Sequence, residues 1–213
     1  MIYNLYKPKT CTSFSVVKQV KKITSEKVGH SGTLDPFADG VLVLGIGKST
    51  KKLSEIIEYD KRYTGIIKMG QKTDTKDLTG SIIDEKDIPN MDQVDLNRLA
   101  NSFIGKHMQK PPMYSARKVD GVRLYKLARK NISIERKPKE IEVKYLSCSL
   151  GRDDELLIEV ECSSGTYIRV LAEEICEKIG TLGHLIELTR TKVGPFNIDE
   201  SLTVKKFEEK WKS

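Results

Sequence analysis

Apolar positions along the chain recur with two spacings, one suited to helices and one to strands. Val16, Val17, Val20 and Ile23 fall on one helical face behind a hydroxyl at Ser13 suited to capping, which predicts a helix over 13–28. The unbroken run over 41–46 predicts a strand covered on both faces. Leu53, Ile56 and Ile57 predict an amphipathic helix over 48–59, followed by a strand over 62–69 and a polar loop over 70–80. A second capped helix is predicted over 92–103. The paired prolines Pro111 and Pro112 remove backbone donors and exclude regular structure over 109–115. A short basic helix is predicted over 122–130. Two antiparallel strands, 141–150 and 155–162, are joined by Gly151-Arg152-Asp153-Asp154. Ile168, Leu171, Ile175 and Ile179 predict a helix over 167–179, then come a strand over 183–193 and a closing helix over 202–211. No repeat or low-complexity tract interrupts this order. Strands and helices interleave without strict alternation, which predicts an α+β fold with a central mixed sheet, flanked by helices, in a single domain over 1–213.

Composition changes this picture little. The chain is 38% apolar and 31% charged, the balance of an ordinary water-facing globule. No stretch approaches the roughly 18 apolar residues of a membrane span, and the start lacks the order of a signal peptide, so a cytoplasmic protein without a membrane partner is expected. Cys11, Cys148, Cys162 and Cys176 are too scattered for a zinc site and read as reduced, packed thiols.

Charge changes it more. The chain carries +7 overall, yet between Gly105 and Lys139 eleven Lys and Arg face only Asp120 and Glu135, a net +9 that leaves the rest near −2. Such a block fits a polyanion binder or a solvated lysine-rich surface. Tyr114 and Tyr125 within it can stack on bases or pack internally.

Candidate chemistry concentrates in Gly29-His30-Ser31-Gly32-Thr33-Leu34-Asp35-Pro36-Phe37-Ala38, which sets one carboxylate, Asp35, in a punctuated loop before the apolar strand. By itself Asp35 reads as a turn cap or as a catalytic acid. Gly47-Lys48-Ser49 is not a phosphate loop, because the required upstream glycine is Leu42. His30, Asp35 and Asp39 match metal-ligand spacing poorly, so no metal is expected, and no serine motif supplies a nucleophile with its base.

The loop resembles Gly-His-Thr-Gly-Ala-Leu-Asp-Pro of the TruB family of tRNA pseudouridine-55 synthases, differing at Ser31 and Thr33. The resemblance recurs in family order. Lys7-Pro8 with Thr12-Ser13 is similar to the family's opening, with Thr10 at its glycine position. Tyr59-Asp60-Lys61-Arg62-Tyr63 and Gly70-Gln71-Lys72-Thr73-Asp74-Thr75 are similar to its second segment. Gln109-x-Pro111-Pro112-Met113-Tyr114-Ser115-Ala116-x-Lys118 and Gly121-x-x-Leu124-Tyr125 are similar to its tRNA-gripping insertion, here about 90–139. Cys162-Ser163-Ser164-Gly165-Thr166-Tyr167-Ile168-Arg169 and Leu188-Thr189-Arg190-Thr191-Lys192-Val193-Gly194-Pro195-Phe196 complete the set.

What the resemblance implies is the pseudouridine synthase fold and the isomerisation of uridine 55 in the tRNA T loop, without a cofactor and with the base flipped out of its stack. It implies Asp35 as the essential carboxylate, Arg169 as its counter-ion and Tyr63 as a stacking partner of the base that helps move the carbon-bound proton. Tyr167 and Leu188 would line the uridine pocket, and His30 would hold the displaced nucleotide or stabilise the loop. Lys7, Lys110, Arg117, Lys118, Arg123, Arg129 and Arg190 would contact the T-arm, with no obligate protein partner. Family members often carry a C-terminal PUA domain; the chain stops about 17 residues past Phe196, which implies a short form or a truncation with weaker RNA affinity. Two rivals compete: a guide-RNA-dependent enzyme of the dyskerin type, and a non-catalytic RNA-binding or chaperone protein.

Overall fold

The apolar run over 41–46 lies inside a longer strand, Asp39–Ile46, whose residues from Gly40 onward are all buried. It belongs to a computed structural model that describes residues 1–115, 117–119, 121–128, 130 and 132–213, and the backbone alone of Lys118. In chain order the strands are β1 (Ile2–Lys7), β2 (Val28–His30), β3 (Asp39–Ile46), β4 (Lys61–Met69), β5 (Gln71–Thr73), β6 (Ile82–Glu85), β7 (Gly105–Gln109), β8 (Lys118–Val119), β9 (Val122–Arg123), β10 (Lys139–Leu150), β11 (Glu155–Cys162), β12 (Gly183–Val193) and β13 (Phe196–Asn197). The helices are α1 (Ser13–Thr24), α2 (Leu53–Ile57), α3 (Gln93–Asn101), α4 (Leu124–Ala128), α5 (Ile168–Ile179) and α6 (Val204–Lys212). Among the described residues no helix is long and apolar enough to cross a membrane.

The chain divides into two units, one of Met1–Gly65, Glu159–Ser164 and Glu187–Ser213, the other of Ile66–Ile158 and Gly165–Ile186. In the first, strands run in the order β1-β3-β12-β4-β11. β1 lies antiparallel on β3 with Leu5 opposite Leu42, whereas β12 lies parallel to β3 with Thr189 opposite Asp39, so the sheet is mixed as expected. Leu42, Leu44 and Ile46 pack with Leu5, with Val16, Val17 and Val20 of α1, and with Phe207 of α6. Val41 and Val43 pack on the other face with Leu53 and Ile56 of α2 and with Val193. Burying each such side chain stabilises the fold by about 1.5–3 kcal/mol, which is why the strand is apolar on both faces from Val41 to Ile46.

In the second unit the order is β12-β4-β11-β10-β7, with β7 antiparallel to β10. Two small hairpins, β5–β6 and β8–β9, stand beside it. α3 begins at a capping box in which Asp92 and Asp95 exchange side-chain and backbone bonds, and it buries Leu96 and Ala100. α5 ends at Gly180, whose φ of 97° is the left-handed conformation that glycine adopts without penalty.

Several expectations shift. The cap of α1 is Thr12, which accepts from the Ser15 amide, while the Ser13 hydroxyl is committed elsewhere. α1 stops at Ser25 in a left-handed turn, and 28–30 form β2 instead of helix. The helix expected over 48–59 begins as a 3-10 turn, Gly47–Lys52, because no apolar anchor precedes Leu53. The polar loop over 70–80 contains β5, and the basic helix shortens to α4 behind β9.

Candidate active site

The first unit builds a rigid frame around the loop between β2 and β3. The Ser13 hydroxyl, buried, donates to the Leu34 carbonyl at 3.1 Å and accepts from the Leu34 amide at 2.9 Å. The Ser31 amide donates to the Val43 carbonyl at 3.0 Å and the Ala38 amide to the Asp35 carbonyl at 3.1 Å. Leu34, Phe37 and Ala38 are buried, which leaves Asp35 half-buried between anchored neighbours. A loop so tied loses little entropy when a ligand arrives, which is the preorganisation a reacting carboxylate needs.

Two buried cations complete the frame. The Lys7 ammonium donates to the carbonyls of Ala38 and Pro8, the latter at 3.0 Å. Burial lowers its pKa, and the charges of Asp39 and Asp35 pull the other way. Arg190 donates through Nε to the Val41 carbonyl at 2.8 Å and through Nη2 to the Gly32 carbonyl at 3.2 Å. Both side chains are almost wholly covered, Lys7 at 0% and Arg190 at 2% exposure. The RNA-contacting role expected of them is therefore corrected: their donors point at the backbone carbonyls of Pro8, Gly32, Ala38 and Val41, not at solvent. Asp39 is likewise structural, accepting from Tyr6 at 2.7 Å and from Thr189 at 2.5 Å. That carboxylate pushes the Tyr6 phenol up to about 12.

Alternation along β4 places Lys61, Tyr63, Ile67 and Met69 on its buried side. Burial raises the pKa of the Tyr63 phenol against the opposing pull of Arg190. The Lys61 ammonium donates to the carbonyls of Ile57 and Tyr59, and burial pushes its pKa down to about 8. Leu188 is buried, and His30 accepts the Gly32 amide at Nδ1 at 3.3 Å.

Arg169 and Tyr167 lie in the second unit. Arg169 is buried at the start of α5, with Nη1 donating to the Thr75 carbonyl at 2.8 Å and to Asp77 Oδ2 at 3.2 Å, and Nη2 to the Tyr114 carbonyl at 2.7 Å. Asp77 in turn accepts at Oδ1 from the Thr75 hydroxyl, the Thr79 amide and the Thr79 hydroxyl. The Gln109 side chain fixes the Tyr167 backbone, accepting its amide at 2.8 Å and donating to its carbonyl at 3.2 Å. A cavity of about 300 Å³ opens there, lined by Gln109, Pro111, Arg117, Lys139, Gly165 and Tyr167. Lys110, Arg117 and Arg123 are exposed and able to meet a polyanion. The Lys118 side chain and Arg129 lie outside the described residues.

Sequence reasoning passed over Ser13 as an anchor, the buried roles of Lys7, Lys61 and Arg190, and Asp77. A signal for Asp77 existed: Thr75-x-Asp77-x-Thr79 is a hydroxyl-carboxylate-hydroxyl cluster of the kind that forms an Asx turn.

The description "TruB family pseudouridylate synthase (N terminal domain)" matches residues 20–168. Among curated proteins, "tRNA pseudouridine synthase B" of Psychrobacter arcticus is 42% identical over 208 residues, 95% of this chain and 55% of that protein. The protein of the same name from Clostridium tetani is 42% identical over 209 residues, 98% of this chain and 72% of that one. Among solved structures, a chain of "Crystal Structure of a Cbf5-Nop10-Gar1 Complex" superposes with a TM-score of 0.76 at 27% identity, covering 99% of this chain and 54% of its own length. This chain thus spans little more than half of the Psychrobacter relative and of that solved chain.

Proposed function

Since the chain belongs to the TruB family of pseudouridylate synthases, we propose that it converts uridine 55 in the T loop of tRNA to pseudouridine, with residues 1–213 as its catalytic domain. The observation that carries this reading is the loop of Asp35: a half-buried carboxylate whose neighbours on both sides are tied to buried donors and acceptors. Curated relatives named for tRNA pseudouridine synthesis support the substrate.

The reaction is an isomerisation. The bond between N1 and the ribose C1′ breaks, the uracil turns, C5 joins C1′, and the proton displaced from C5 leaves while N1 gains one, so no atoms are added or lost. Asp35 is the carboxylate on which these steps depend, and the buried Lys7 ammonium ties its loop through the Ala38 carbonyl. Tyr63 stacks on the base and assists transfer of the C5 proton, Tyr167 and Leu188 bound the uridine, and His30 contacts the displaced nucleotide. Arg169 supplies a fixed positive charge, its guanidinium oriented by Asp77, Thr75 and Tyr114. Flipping the uridine out of the T loop costs a few kcal/mol. Phosphate contacts from Lys110, Arg117 and Arg123, joined by Lys118 and Arg129 of the same basic segment, offset that cost without selecting sequence.

The experiment is incubation of the purified chain alone with an unmodified tRNA transcript and with one carrying cytidine at position 55. Pseudouridine in the first and none in the second is expected. A guide-dependent enzyme would be silent on both, and the identity of 42% to the tRNA enzymes against 27% to the Cbf5 chain favours the tRNA reading. A non-catalytic RNA-binding protein would bind the transcript and leave it unchanged.

A further inference from the structure

Arg190 is among the largest fully buried side chains of the molecule, and an unpaired buried guanidinium is strongly unfavourable. What it bonds accounts for its position. Gly32 precedes Asp35 in the loop and Val41 follows it, and one guanidinium donates to the carbonyls of both. Its charge also reaches the Tyr63 phenol on β4, where it opposes the effect of burial. The backbone is committed as well: a Cβ on Gly40, whose φ is 107°, would stand 2.3 Å from the Arg190 carbonyl oxygen, so β12 and β3 meet there at a separation only glycine permits.

We propose that Arg190 is a positioning residue, clamping both ends of the Asp35 loop with one rigid fork so that the carboxylate holds a fixed relation to the uracil. This rests on the enzymatic reading above. A planar guanidinium with donors in fixed directions reaches both carbonyls at once; an ammonium on a flexible stem keeps the charge but does not span them. The carboxylate then moves relative to the base, and misplacement by about 1 Å costs about 10²-fold in rate. Affinity for tRNA is set at exposed cations and is untouched.

The test compares wild type, Arg190→Lys and Arg190→Gln for single-turnover pseudouridine formation per binding-competent molecule, tRNA affinity, and amide hydrogen exchange. Arg190→Lys is expected to bind tRNA within about threefold of wild type while its rate falls by about 10²-fold. Exchange at Ser31, Leu34 and Ala38 rises, while exchange in α1 is unchanged. A rate within about threefold of wild type overturns the proposal, as does an affinity loss as large as the rate loss, which would make Arg190 a phosphate contact. Exchange rising equally in α1, or failure of both variants to fold, overturns it in favour of a purely structural role. If Arg190→Gln alone fails to fold, Arg190→Lys carries the comparison. Should wild type form no pseudouridine, the enzymatic reading fails by itself, and the exchange pattern still decides whether Arg190 holds the loop.

Discussion

Replacing Asp77 by Asn removes one buried charge and turns the atom facing Arg169 from an acceptor into a donor. The amide oxygen can still accept from Thr75 and Thr79, as Oδ1 does now. What is lost is the carboxylate 3.2 Å from Arg169, a pair in which each side chain is only 5% exposed. At that separation two unit charges attract by about 5 kcal/mol at the effective dielectric of ~20 that suits such sites. The carbonyls of Thr75 and Tyr114 stay bonded to the guanidinium, so it is not stranded. The expected cost is therefore about 3 kcal/mol, the lower end of what breaking a buried pair costs. For a chain of this length that lowers the melting temperature by about 6–12 °C. Urea unfolding with an unchanged m-value, alongside thermal unfolding, measures it. A loss below about 1 kcal/mol would refute the reasoning and mean that the carbonyls alone satisfy Arg169.

Two further outcomes follow from buried polar groups in the first unit. Ser13→Ala leaves the amide and carbonyl of Leu34 without their shared partner; urea unfolding is expected to show a loss of about 1–3 kcal/mol, and exchange at Leu34 to rise. Lys61 has a folded pKa lowered to about 8 from 10.5, so below pH 8 both states carry the proton and the folded state bears the cost of burying it. Between about pH 8 and 10.5 the unfolded chain holds more protons, and wild type gains stability relative to Lys61→Met as pH rises; urea titrations at pH 7.5 and 10 with equal differences would contradict this.

Elements with a strong local signature were legible in the sequence. The apolar strand over 41–46, the capped helix before Phe103, the pair of strands joined at Gly151 and the helix from Ile168 all appear close to their expected bounds. β1 was not legible, because its alternation is short and its partner β3 lies more than thirty residues away. The cap of α1 was misplaced by one residue, since nothing local shows that the Ser13 hydroxyl is required by Leu34. The same limit applies in the site. Lys and Arg are mostly exposed, so Lys7 and Arg190 read as RNA contacts until their carbonyl partners, distant in sequence, are seen. Asp35 is singled out as a candidate by the family resemblance of its loop, since one aspartate by itself does not announce chemistry.

The central claim is that the loop of Asp35 performs an isomerisation on tRNA. Its most direct test is a single-turnover assay of the purified 213-residue chain and of Asp35→Asn on unmodified tRNA, with pseudouridine mapped by position and tRNA affinity measured in parallel. Conversion at uridine 55 by the wild type, with none by Asp35→Asn despite retained binding, is the predicted result. No product from the wild type, or product from Asp35→Asn at a comparable rate, would contradict it.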